Sequence, residues 1–121
     1  MKLRILAALA ALSIPGVAAA ADVSGAWKVS TNANGQALTI NCSLAQAAAA
    51  LSGTCGLADG SETPAQLTGT VDGDKAAWAY DVDFQGQKLH VSFAGMVDSP
   101  TAMSGEMEVF GSKSPFTAVK Q

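Results

Sequence analysis

The stretch that decides the fold runs from Lys75 to Val97 and reads KAAWAYDVDFQGQKLHVSFAGMV. On both sides of its central Gln-Gly-Gln segment, apolar residues alternate with polar or small ones, which is the pattern of β-strands with one buried face. The glycine between them favours a tight turn. The stretch therefore predicts a β-hairpin with strands over 75–84 and 88–97.

Parity decides which face of this hairpin is buried. The apolar residues of both strands share a face only if the loop has an even number of residues, which selects a turn at Gly86-Gln87. Phe84 then lies opposite Leu89, and Tyr80 lies opposite Phe93. The aromatic row is expected to face the interior.

The same alternation recurs from residue 25 to the end of the chain. Strands are predicted over 25–32, 37–45, 51–58, 63–71, 75–84, 88–97, 102–110 and 115–120, with turn signals at Asn34-Gly35, Asp59-Gly60 and Asp72-Gly73. Short links make sequential neighbours pair, and closure of the sheet removes its two exposed edges. The predicted fold class is all-β: an eight-stranded antiparallel up-and-down barrel.

The first 21 residues read as a cleavable secretory signal. Lys2 and Arg4 precede an apolar run that is too short to cross a bilayer, and the small-residue tract ending at Ala20 or Ala21 offers a cleavage site. Residues 22–121 are then a single domain without a membrane span. The expected location is the periplasm or the extracellular medium.

Two cysteines, Cys42 and Cys55, are expected to form a disulfide, because exported proteins meet oxidising conditions. If strand 37–45 turns at 47–50 and returns from Leu51, the two residues stand opposite each other. Opposed residues in a non-hydrogen-bonded pair lie about 4.5 Å apart at Cα, close enough for a disulfide. Segment 43–50 also reads as a capped helical turn, so a hairpin loop and a short helix both remain open there.

Charge excludes two classes of partner. Without Lys2 and Arg4 the domain has five lysines, no arginine and ten acidic residues, a net charge of −5. Such a domain lacks the cationic surface that nucleic acids and anionic lipids require.

Catalytic and metal-site chemistry is sparse. In the register above, the only histidine, His90, stands opposite Asp83 on the outer face, with Ser92 two residues along the same strand. A convex barrel wall offers no cleft or oxyanion donor, so a solvated His–Asp pair is the favoured interpretation. Two thiols and one imidazole fall short of a structural zinc site. No catalytic residue, metal or cofactor is expected.

A short repeat places glycine after an apolar and a small residue in several strands. Its copies end at Gly25, Gly53, Gly69, Gly95 and Gly105. Each glycine has the parity of the inward residues. Such glycines either let coiled strands bend or leave room for a ligand, and the bend is favoured.

At Gly25-Ala26-Trp27, on the first strand, the chain resembles the calycin-like barrels, because lipocalins and streptavidin-like proteins begin with a similar Gly-x-Trp. It also resembles the small periplasmic inhibitors of bacterial metalloproteases, which have a Ser-Gly-x-Trp opening and one early disulfide, as in Ser24–Trp27 with Cys42 and Cys55. The match covers the N-terminal third. The resemblance implies a barrel and extracellular binding.

Two functions remain open for a secreted, non-catalytic barrel. The first is a carrier that holds a small apolar molecule inside the barrel. The second is a module with a filled core that binds or inhibits an extracytoplasmic protein. The residues expected to line the interior, and to bind the ligand of a carrier, are Trp27, Trp78, Tyr80, Phe93, Met103, Met107 and Phe116.

Overall fold

The computed structural model describes residues 21–33, 35–60, 63–84 and 86–121. Its strands are β1 (Gly25–Ala33), β2 (Gln36–Ala47), β3 (Ala50–Leu57), β4 (Ala65–Asp72), β5 (Lys75–Phe84), β6 (Gln87–Ser99), β7 (Ala102–Val109) and β8 (Ser112–Lys120). Each strand pairs antiparallel with the next, and β8 pairs with β1 to close the barrel. The predicted all-β, eight-stranded up-and-down barrel is confirmed.

The predicted signal segment lies almost entirely outside the described residues, which begin at Ala21. Within the described part, no helix is long and apolar enough to span a bilayer.

The barrel has two different ends. The hairpins β1–β2, β3–β4, β5–β6 and β7–β8 turn at one end, here called the hairpin end. The other end, here called the terminus end, holds the short turns β2–β3, β4–β5 and β6–β7 and both ends of the described chain.

The β5–β6 hairpin has the predicted buried face but a different register. Phe84 pairs with Gln87, Tyr80 with Val91, and Trp78 with Phe93. Gln87 is therefore already paired in β6, and the prediction of Gly86-Gln87 as the turn was wrong by one position. A shift of the turn by one residue changes the pairing by two, so the parity and the inward face survive. The β4–β5 turn is also one residue later than predicted, at Gly73 and Asp74.

The cysteine hairpin has the predicted register. Cys42 pairs with Cys55 across β2 and β3, their Cα atoms are 4.1 Å apart, and the two form a disulfide. β2 continues to Ala47 and β3 starts at Ala50, with a two-residue turn between them. The helical alternative for 43–50 is therefore wrong, because the strand ladder takes up the backbone hydrogen bonds of this segment.

Residues 21–24 close the terminus end. Val23 is fully buried, its amide donates to Gln46 Oε1 at 2.9 Å, and its carbonyl accepts a hydrogen bond from Trp27 Nε1 at 2.9 Å. Hydrogen bonds from Ser24, with a smaller effect of Lys120, lower the pKa of Asp22. The contribution of these hydrogen bonds to stability is therefore fully present above the usual pKa of aspartate and is lost as the pH falls through the lowered pKa of Asp22.

Glycines let β6 and β7 approach closely. Gly95 pairs with Gly105, and a Cβ at Gly105 would overlap the carbonyl oxygen of Ala94 and the Cα of Gly95. A Cβ at Gly95 would lie 2.9 Å from the Phe116 ring. The space beside these two glycines is thus occupied by backbone and an aromatic ring.

Gly105→Ala is expected to lower the free energy of unfolding by about 1 to 3 kcal/mol, because the new methyl group has no free space. Gly56→Ala is the matched control, since its Cβ would come no closer than 3.2 Å to Pro64. Urea titrations of both variants, followed by circular dichroism, measure the difference. Equal stabilities would show that the close approach of β6 and β7 is not a constraint.

Candidate functional site

All seven predicted interior residues lie in the buried core. They are Trp27, Trp78, Tyr80, Phe93, Met103, Met107 and Phe116, and none is more than 7% exposed. They lie on β1, β5, β6, β7 and β8. In each of these strands every second side chain points inward. The sequence therefore located these residues correctly, while their role in binding a ligand stays a prediction.

Four buried aromatic rings contact one another inside the barrel. Trp78 stacks on Phe93 with ring centroids 5.1 Å apart, and Phe93 meets the edge of Phe116 at 5.3 Å. Trp78 also contacts Phe116 at 6.0 Å, and Tyr80 stacks on Phe93 at 6.0 Å. These spacings are those of rings in direct contact, so the residues that would bind a ligand pack against one another.

The two buried tryptophans differ in hydrogen bonding. Trp27 Nε1 donates to the carbonyl of Val23, whereas Trp78 Nε1 has no hydrogen-bond partner among the described residues. A buried N–H group without an acceptor costs about 1 to 3 kcal/mol. Trp78 Nε1 is thus the one buried side-chain polar atom in the described part of the chain that an added acceptor would stabilise.

The hairpin end differs from the terminus end in being lined by aliphatic side chains that are only half-buried. Half-buried aliphatic side chains pack there against the edge of the core: Leu38, Leu57, Ala65, Val82, Leu89 and Val109. The hairpin end therefore presents apolar surface to the solvent.

Phe110, at the tip of the β7–β8 hairpin, is a residue that the sequence analysis missed. It is 75% exposed and has a φ of 54°, followed by Gly111 with a φ of 77°. Positive φ at both positions is typical of a type I′ turn, in which Asn-Gly is the favoured pair. An aromatic residue directly before a turn glycine was the available signal, but the prediction placed residue 110 inside a strand.

His90 lies on the outer wall, as predicted, but its partner differs. Its Nδ1 lies 2.7 Å from Oδ1 of Asp81, and both side chains are more than half exposed. The prediction of Asp83 was wrong because it used the register that is displaced by two residues. The pair is solvated, and such cross-strand pairs contribute roughly 0.2 to 1 kcal/mol.

Two concavities lie on the outside of the barrel. One, of about 400 Å³, crosses β4 to β7 over small side chains such as Ala77 and Ala94, with Met96 46% exposed at its side. The other, of about 370 Å³, lies between β5 and the residues that precede β4. Both lie outside the aromatic cluster.

The closed eight-stranded meander is the architecture that the resemblance to calycin-like barrels implies. The Gly25-Ala26-Trp27 segment opens β1, and Trp27 is buried in the core. Beyond this architecture, comparison with known proteins gives no relative: no protein-family model, no curated protein and no solved structure matches the chain.

Proposed function

We propose that this chain is an exported, non-catalytic, calycin-like binding module that recognises a partner protein at its hairpin end, outside a filled core. Export is supported by the signal-like first segment and by the Cys42–Cys55 disulfide. The contacts among the four rings favour a filled core over an interior ligand site. Binding is therefore assigned to the exposed surface.

The observation that carries this proposal is the conformation of Phe110. A non-glycine residue in the left-handed region costs roughly 1 to 2 kcal/mol, and asparagine would suit the position better. Packing of the Phe110 side chain offsets little of this conformational cost, since the residue is 75% exposed. A strained and exposed aromatic side chain at a hairpin tip is well suited to contact a partner.

The surroundings of Phe110 fit an apolar contact. The half-buried side chains of the hairpin end, among them Leu89 and Val109, supply aliphatic surface near the tip. Exposed apolar surface with a polar rim commonly marks an interaction site. The partner is expected to be an extracytoplasmic protein with an apolar cleft that takes the Phe110 ring.

Phe110→Asn is expected to raise the free energy of unfolding by about 1 kcal/mol, because asparagine adopts positive φ more readily. Thermal and urea unfolding of the variant and the parent protein measure the change. Ala48→Gly is the matched control, since Ala48 also has a positive φ, of 56°, in the β2–β3 turn at the terminus end. Destabilisation by Phe110→Asn would show that the phenyl ring contributes packing to the fold.

Native mass spectrometry of the protein isolated from cells that produce it tests the proposal. A complex with a second protein is expected, and Phe110→Asn should abolish it. Val119→Asn is the control, because Val119 is also an exposed apolar residue, 54% exposed, but lies near the terminus end. The proposal fails if a small apolar molecule co-purifies, or if the complex survives Phe110→Asn and is lost in Val119→Asn.

The carrier function stays a second candidate because of Trp78. Its unpaired Nε1 would be satisfied by a small apolar molecule with one acceptor. Fluorescence titration with 1-anilinonaphthalene-8-sulfonate tests this function. A carrier would show saturable quenching that is lost in Trp78→Phe and kept in Trp27→Phe, whose indole already has a partner. Absence of saturable quenching is expected for a filled core.

A further inference from the structure

The β5–β6 hairpin continues past the points where its two strands stop pairing with β4 and β7. β5 and β6 pair as far as Phe84 and Gln87, but the pairing of β5 with β4 ends at Tyr80. On the other side, the pairing of β6 with β7 ends at Val91. β4 starts at Ala65 but separates from β5 beyond Tyr80, so Asp81–Phe84 has no strand partner on its β4 side among the described residues. This segment is called the β5 edge below.

The β5 edge has backbone groups available for strand pairing. Phe84 and Gln87 flank a two-residue turn, so they form the hydrogen-bonded pair that closes the hairpin. Hydrogen-bonded and non-hydrogen-bonded pairs alternate in an antiparallel ladder, which directs the amide and carbonyl of Asp83 away from β6. No other backbone hydrogen bond in the described part involves Asp83. Among the described residues, its N–H and C=O are thus an open position in the ladder.

A groove borders this open position. The concavity of about 370 Å³ is lined by Thr63, Ala65, Asp81, Val82 and Asp83. Val82 and Ala65 are half-buried with inward parity, whereas Asp81 and Asp83 project from the outer face. A strand lying here would meet aliphatic groups with one set of alternate side chains and carboxylates with the other.

We propose that the β5 edge takes an extended, basic segment of a partner protein, which adds a strand beside Asp83. This inference rests on the proposed function and names a second contact region of the same module. Strand addition of this kind draws affinity from main-chain hydrogen bonds and specificity from alternate side chains. Lysine or arginine at alternate positions of the segment would face Asp83 and Asp81, and small apolar residues would face Val82 and Ala65.

The charges at the edge favour this occupant over a second copy of the chain. Asp83 stands opposite Lys88, but the structure shows no ion pair between these two described residues, whereas Asp81 is paired with His90. The Asp83 carboxylate is therefore available to a partner. Pairing of two β5 edges would bring the aspartates of both copies together, and like charges across strands are destabilising. The negative net charge of the chain, −3, adds to the repulsion.

NMR titration of the full, disulfide-bonded protein tests the inference. The probe is a ten-residue peptide of alternating lysine and valine with blocked ends. The amide signals of Asp81–Phe84 are expected to shift, and exchange of the Asp83 amide should slow. Methylation of alternate peptide nitrogens, which removes the pairing N–H groups, should weaken binding at least tenfold. A glutamate–valine peptide should not bind.

Two proline variants locate the site. Asp83→Pro removes the N–H at the open position and should therefore weaken peptide binding at least tenfold. The variant is expected to fold, because proline is tolerated at strand edges. Lys88→Pro is the matched control on the opposite side of the same hairpin and should leave binding unchanged. If Asp83→Pro does not fold, Asp83→Asn keeps the backbone and should still weaken binding and reduce its dependence on salt.

The inference is overturned if the N-methylated peptide binds as well as the parent peptide, or if the shifts map elsewhere. If a protein complex that depends on Phe110 is still observed, such a result rules out only the strand-addition site and leaves the proposed function standing. Co-purification of a small apolar molecule would instead remove the proposed function itself.

Discussion

Trp78→Ala is expected to lower the free energy of unfolding by about 3 to 5 kcal/mol, which is the usual cost of truncating a buried tryptophan. Trp78 is 2% exposed and contacts two other rings of the central cluster. Removal of the indole leaves those rings facing a cavity that a closed barrel cannot easily collapse. Urea unfolding followed by circular dichroism measures the loss.

His90→Ala is the control from the neighbouring strand. It removes a side chain that is 69% exposed and paired with a solvated carboxylate, so a change below about 0.5 kcal/mol is expected. Similar losses for both variants would contradict the assignment of inner and outer faces.

Replacement of Cys42 and Cys55 by alanine is expected to lower the free energy of unfolding by about 2 to 4 kcal/mol. The bond joins residues 13 apart in sequence and restricts the unfolded chain more than the folded one. The circular dichroism of the β-sheet should persist, because the remaining core is intact. Unfolding midpoints in urea measure the effect.

Reduction of the parent protein provides the control for this pair. Dithiothreitol should shift its unfolding midpoint to that of the double-alanine variant, apart from a small packing difference. An unchanged midpoint on reduction would show that the disulfide contributes nothing to stability.

Hydrophobic alternation made the barrel predictable, because it determines both the strands and the face that each one buries. It does not determine register, since a displacement of two residues leaves every face unchanged. Gln85-Gly86 and Gly86-Gln87 therefore satisfied the pattern equally well. The structure places Gly86 second in the turn with a φ of 81°. The partner of His90 was misassigned for the same reason.

The inner residues were predictable and the outer surface was not. Trp78 and Phe116 follow from the period of two, which marks a core residue whatever its neighbours are. The exposure of Phe110 depends instead on where β7 ends, and strand ends are poorly determined by sequence pattern. The β5 edge depends on the pairing of β4 with β5 ending at Leu67 and Tyr80, although β4 itself starts at Ala65. The point at which two strands stop pairing leaves no signature in the alternation.

A crystal structure under xenon pressure tests most directly the claim that the core is filled and that binding occurs outside it. Xenon enters empty apolar cavities of proteins and is visible in electron density. No xenon is predicted between Trp78, Phe93 and Phe116, whose rings are in contact. Xenon bound beside the Trp78 indole inside the barrel would contradict the filled core and would favour the carrier.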